Sequence, residues 1–147
     1  MIRTLTLALL ATAPAFAQET SGAWNYHFQQ GIGQYLTGEW DSATGGALGL
    51  SCLSNGRVAI MAQVKGQAPP PRSSLVLSVS SRAGSRSIGF PTDASGTAKV
   101  AISDSRFRAL WAELRARDIV TLRYSDGRNS VQSLDGAAKL LPAKPCG

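Results

Sequence analysis

Leu48-Gly49-Leu50-Ser51-Cys52-Leu53-Ser54-Asn55-Gly56-Arg57-Val58-Ala59-Ile60-Met61-Ala62-Gln63-Val64 decides how this chain reads. Leu48, Leu50 and Cys52 alternate with small or polar residues, Asn55-Gly56 interrupts, and Val58, Ile60, Ala62 and Val64 alternate again. Alternation with period two places one set of side chains on one face of a strand. Asn-Gly between two such runs predicts a hairpin closed by a type I′ turn, which needs positive φ at both central residues.

The pattern extends in both directions. Upstream, Trp24, Tyr26 and Phe28 share one face, with Asn25, His27 and Gln29 on the other, and Gln18 to Gly22 is expected to be a loose leader. A run from Tyr35 to Asp41 is expected to place Leu36 and Trp40 on one, core-facing side. Downstream, Leu75, Leu77 and Val79 alternate, a turn near Ala83-Gly84 leads to Ile88 and Phe90, and Pro91 to Gly96 turns into Ala98, Val100 and Ile102. Between the hairpin and Leu75, Pro69 to Pro71 lack N–H donors and fix φ, so they cannot sit inside a sheet. A stiff surface crossover between two sheets is expected there, the sharper alternative being a proline-rich partner motif.

The period then changes. Phe107, Leu110, Trp111 and Leu114 fall at i, i+3, i+4 and i+7, which predicts an amphipathic helix over about 104–117 with Ser103 or Asp104 as N-cap. A last hairpin pairs Ile119–Tyr124 with Asn129–Leu134 across Asp126-Gly127, and a short helical turn follows at Ala137 to Leu141. Short strands joined by tight turns predict a mainly β fold. It is an antiparallel β-sandwich or small barrel with one amphipathic α-helix and a disulfide-tethered C-terminal tail.

Met1 to Ala17 orders a positive residue, Arg3, an apolar run from Leu5 to Ala13, and the small-x-small signature Ala15-Phe16-Ala17. That order predicts a secretory signal peptide over 1–17, removed to leave a single β-rich domain over 18–147 in a periplasm or outside the cell. Removing Arg3 takes one from the chain's 15 Lys+Arg and leaves 14 against 9 Asp+Glu, a basic protein. No second stretch approaches the roughly 20 apolar residues of a membrane span. In an oxidising compartment the two cysteines, Cys52 and Cys146, are expected to form one bridge that fastens the tail to the body.

Most catalytic chemistry finds no pattern to rest on. No serine lies in G-x-S-x-G or S-x-x-K spacing, and His27, the one histidine, falls on the polar face of its strand, where it is expected to be solvated. With both cysteines bridged no metal site is expected, and the turn acids Asp93 and Asp126 read as turn formers rather than calcium ligands. Glu39, Asp41, Asp104 and Glu113 qualify for a glycosidase pair by residue type alone. No glycine-rich phosphate loop is present, so no cofactor is expected, and no nucleic-acid-binding motif is found.

Arginine is the positive clue about partners. Arg82 and Arg86 flank one turn, Arg123 and Arg128 another, and Arg106, Arg108, Arg115 and Arg117 crowd the helix. Guanidinium forks match phosphate and carboxylate, so the turn arginines are candidate contacts for an anionic envelope component; the alternative is a solvated basic surface. For Trp24, Trp40 and Trp111 core packing is expected, the alternative being an aromatic platform for sugars.

The last third carries a family signature. Phe107 to Leu114, Arg117-Asp118-Ile119-Val120-Thr121-Leu122, and Ser133-Leu134-Asp135-Gly136-Ala137-Ala138 ahead of a closing cysteine resemble small exported alphaproteobacterial β-proteins of the invasion-associated locus B type. The resemblance covers about residues 104 to 146. It implies a periplasmic β-domain without an established enzymatic activity and transfers no catalytic residue. The first expectation is therefore a non-catalytic binding domain of the cell envelope, whose partner is an anionic component or another periplasmic protein. The alternatives are a small periplasmic hydrolase, an inhibitor of one that uses Pro69–Pro71 as its protruding loop, and a structural envelope protein.

Overall fold

The computed structural model describes residues 17–147, so the expected signal peptide lies outside the described residues but for Ala17. Two antiparallel sheets form a sandwich. The first five strands, β1 (Ala17–Ser21), β2 (Trp24–Gln29), β3 (Ile32–Gly38), β4 (Gly46–Cys52) and β5 (Arg57–Val64), run as a meander. The proline segment then crosses to the second sheet, as its missing donors require, where β6 (Ser74–Ser81) pairs with β7 (Gly84–Pro91). The chain returns to place β8 (Ala98–Ala101) beside β5. After α1 (Ser105–Ala116) it crosses again, so that β9 (Ile119–Tyr124) joins β6 and β10 (Asn129–Ser133) joins β9; α2 (Ala137–Leu140) ends the regular structure. The sheet orders are β1-β2-β3-β4-β5-β8 and β10-β9-β6-β7.

Alternation makes the core. Leu48 and Leu50 of β4, Val58, Ile60 and Val64 of β5, Leu75, Leu77 and Val79 of β6, and Val120 and Leu122 of β9 are all fully buried between the sheets. The six-stranded sheet is wider than its partner, and helices fill the overhang. Phe107, Leu110, Trp111 and Leu114 of α1 enter the same core, and Trp111 meets Tyr35 of β3 edge-on with ring centroids 5.3 Å apart. α2 packs on β1 and β2, beside the fully buried Trp24. Asp104 caps α1, its carboxylate accepting from the N–H groups of Arg106 and Phe107.

Three expectations are corrected. Gln18 to Gly22 is not a loose leader: Ala17 to Ser21 form β1, paired residue for residue with β2 from Ala17↔Phe28 to Ser21↔Trp24. Its backbone ladder and the Ala23 N–H bond to Asp135 O do what an apolar face does elsewhere. Leu36 and Trp40 do not face the core. Tyr35 and Thr37 take the inner positions of β3, so Leu36 points outward and Trp40, in the β3–β4 connection, stays 39% exposed.

The third correction concerns turn type. Gly56 has positive φ but Asn55 does not, and Leu53 N–H bonds Arg57 O across a three-residue loop. The β9–β10 hairpin repeats this form, with Gly127 at positive φ and Tyr124 N–H bonded to Arg128 O. A right-handed turn ending in a left-handed glycine closes both hairpins, the three-residue solution rather than the two-residue one.

Candidate functional site

Cys52 and Cys146 are bridged, with Cα atoms 5.8 Å apart. The bridge draws the C-terminal tail across one end of the sandwich, where the β4–β5 turn, the residues before α1 and the first turns of α1 meet. Tail and body leave two adjoining grooves there, sharing Arg108 and Pro145. One, of about 450 Å³, is lined by Gly56, Ile102, Ser103, Arg108, Lys144 and Pro145. The other, of about 360 Å³, lies between the tail and the Ser105, Ala109 and Ala112 side of α1. A smaller aromatic recess of about 180 Å³, with Tyr26, Phe28 and Tyr35, opens beside the disulfide itself.

The electrostatics of this end are one-sided. No carboxylate lines either groove. Among the described residues, Arg108 and Lys144 have no acidic partner, whereas the other helix arginines are engaged. Arg106 pairs with Asp104 at 3.1 Å, Arg115 donates to Leu141 O, and Arg117 donates to Glu113 Oε2 at 2.7 Å. The tail is held by Trp111, whose indole Nε1–H donates to Pro142 O at 2.7 Å, and beyond that by the disulfide. Two unpaired cations, the Ser103 hydroxyl and an apolar floor of Ile102 and Pro145 can seat an anionic group attached to an apolar body.

The four turn arginines do not converge. The β6–β7 turn follows Ser81, while the β9–β10 turn lies beyond Tyr124, which pairs with Leu75; the two turns therefore stand at opposite ends of the four-stranded sheet. Arg128 is consumed locally, by Asp126 at 2.8 Å and by the Ala68 carbonyl at 2.6 Å, and so braces the proline crossover. Arg86 lies 3.8 Å from Glu113. Arg82 and Arg123 are exposed, and neither has an acidic partner among the described residues.

The groups weighed for catalysis do not converge: Glu39 is exposed in the β3–β4 connection and His27 stands on the outer face of β2, and the others are occupied by local contacts. Asp104 caps α1, Glu113 holds Arg117, and Asp41 accepts from Gln63. Asp93 accepts from the Ser95 hydroxyl and from the backbone N–H groups of Ser95 and Thr97, which pulls its carboxyl down to about 2 and marks it as a turn former. Among the described residues no His/Cys/Asp/Glu cluster has the geometry to hold a metal ion. Nor does Pro69–Pro71 protrude: Pro69 and Pro70 are half-buried, and Pro69 lies against Gly96. The described residues form a compact β-rich body with no evident catalytic constellation among them, consistent in general with an interaction domain.

Sequence reasoning missed the Arg108–Lys144 pairing because 36 positions separate the two. The available signal was the bridge: Lys144 stands two residues before Cys146, and Cys52 lies just ahead of the turn that contains Gly56.

No curated protein and no solved structure matches the chain. One family model does match, YfjT, over residues 22–141, from Gly22 in the turn between β1 and β2 to Leu141, the residue after α2. It lends no support to the narrower resemblance to invasion-associated locus B proteins. With the matched span taking in every strand but β1, the chain belongs to the YfjT family.

Proposed function

We propose that this protein is an exported, non-catalytic binding domain of the bacterial cell envelope that takes an anionic partner at the disulfide-braced end. The observation that carries the reading is the meeting of Arg108 and Lys144, neither with an acidic partner among the described residues, over the apolar floor of Ile102 and Pro145. Export is supported by the Met1–Ala17 pattern and by the disulfide, which persists in oxidising compartments. Exposed cations give a salt-sensitive attraction, and the apolar floor adds selectivity for ligands with an apolar portion.

The test is capture from the organism's own envelope at low and high salt, scoring protein, lipid and glycan, with wild type beside two charge reversals. Arg108→Glu with Lys144→Glu should weaken capture of an anionic component about tenfold or more, and high salt should act in the same direction. Arg82→Glu with Arg123→Glu should leave it nearly unchanged. Loss through the turn pair alone would move the site to the turns; an interaction indifferent to both reversals would sink the reading.

A further inference from the structure

We propose that the outer face of the six-stranded sheet binds a neutral oligosaccharide, with Trp40 as the stacking platform. This goes beyond the anionic site, which lies at the disulfide end. Among the described residues both helices pack on the inner side of the sandwich, through side chains that join the common core, and neither covers the outer face of β1 to β5. There Asn25, His27, Gln34 and Leu36 stay partly exposed, while Ala47, Ser51 and Ala59 are buried among their neighbours.

Trp40 is large, aromatic and 39% exposed, and it rests on β4 where the strand has no side chain. A Cβ on Gly49 would stand 3.3 Å from Trp40 Cζ2, 3.0 Å from Leu36 Cδ2 and 3.4 Å from the Met61 methyl. Gly49 therefore makes room for the indole to lie on the sheet, braced by Leu36 and Met61. An aromatic covering a strand glycine stabilises a sheet by itself. That role needs one ring face only, and the exposure leaves indole surface for the apolar C–H face of a pyranose ring.

The surroundings select a neutral, hydroxyl-rich ligand. The register aligns Gln18, His27 and Gln34 in one outward row that ends on the buried Ser51, and places Asn25 in the next row with Leu36 and Gly49. Gln34 donates its amide N–H to Ser51 Oγ at 3.1 Å, and Asn25 Oδ1 accepts from Thr20 at 3.1 Å. The Gln34 carbonyl and the Asn25 amide NH₂ remain to face a ligand as acceptor and donor. Across β1 to β5 the two rows contain no Lys, Arg, Asp or Glu; the first row runs on to Lys99 on β8, and the exposed Glu39 and Asp41 flank Trp40, where their carboxylates disfavour an anionic ligand beside the indole. Five strands span about 19 Å at the usual spacing, room for a short oligosaccharide laid across them.

An array of neutral oligosaccharides of gluco-, manno- and N-acetylhexosamine types, probed with the labelled full chain, tests the proposal. Wild type should bind at least one class. Trp40→Ala should lower that affinity about tenfold or more, Trp40→Phe should retain most of it, and Gln34→Ala should lower it at unchanged melting temperature. Arg108→Glu with Lys144→Glu should leave it intact, while Trp40→Ala should leave anionic capture intact, so either site can fail alone. Wild type that binds no neutral class, or binding equal in Trp40→Ala, overturns the proposal.

Discussion

Tyr124 shows how much one buried polar atom can organise. Its ring is buried in the sandwich and its hydroxyl donates to Ala62 O at 2.9 Å, a bond from β9 of one sheet to β5 of the other. Burial pushes its hydroxyl up to about 12, and burial does the same to Tyr35, with Tyr26 and Glu19 adding to it. Because folding favours the neutral phenol, this contribution is fully present below the ordinary value of 10 and is lost as pH rises from 10 toward 12. Tyr124→Phe should cost about 1 kcal/mol at neutral pH, the net worth of one hydrogen bond, because the ring still fills its site. The same variant should also lose stability less steeply than wild type between pH 10 and 12. Denaturant melts at several pH values measure both effects, and parallel alkaline limbs for the two proteins would show that Tyr124 ionisation is not linked to unfolding.

Among the elements, α1 offers the cleanest local test. Asp104 is the cap, and its carboxyl is held below the usual carboxylate range chiefly by the Arg106 side chain and then by the N–H groups it accepts. Asp104→Ala should lower stability by about 1 kcal/mol, and Asp104→Ser should restore most of it, since the cap needs an acceptor rather than a charge. A thermal melt series checks this; equal losses in both variants would assign the effect to the Arg106 pair instead. Helix and cap were legible beforehand because Phe107, Leu110, Trp111 and Leu114 fit one helical face and no strand face. The hairpin strands were legible for the matching reason. β1 was not, because Ala17-Gln18-Glu19-Thr20-Ser21 has no apolar alternation and its pairing resides in backbone groups that every residue has. For β3, Tyr35/Thr37 and Leu36/Trp40 offered two opposite faces, and a one-residue choice flips every side chain. The structure chooses Tyr35 because its ring packs against its cross-strand partner Tyr26 and meets Trp111 edge-on, the latter a partner that only the tertiary fold brings near. That choice put Trp40 outside and created the outer-face platform, while the Arg108–Lys144 groove depended on a bridge that sequence foresaw but could not place against α1.

At the scale of the whole molecule, the disulfide joins stability to the candidate groove. Cys52 and Cys146 are 94 positions apart, so the bridge ties the fourth strand to almost the last residue. A loop of that length restricts the unfolded chain by about 4–5 kcal/mol in the chain-entropy model, with any native strain subtracted. The core does not depend on the bridge for its geometry: both sheets, the inter-sheet Tyr124 bond and the α1 stripe are complete without residues 143–147. Cys52→Ser with Cys146→Ser should therefore remain folded, with far-ultraviolet circular dichroism like wild type and a melting temperature lower by roughly 15 °C. Its tail should be released beyond Pro142, where Trp111 makes the last hydrogen bond from α1. Lys144 would then leave Arg108, and capture of the anionic component should fall while neutral-glycan binding persists. Reduction of the wild type should reproduce each change, because it removes the same tether without altering any other atom. A reduced protein that keeps its groove affinity would show that the tail is seated by its own contacts, and that the bridge serves stability alone.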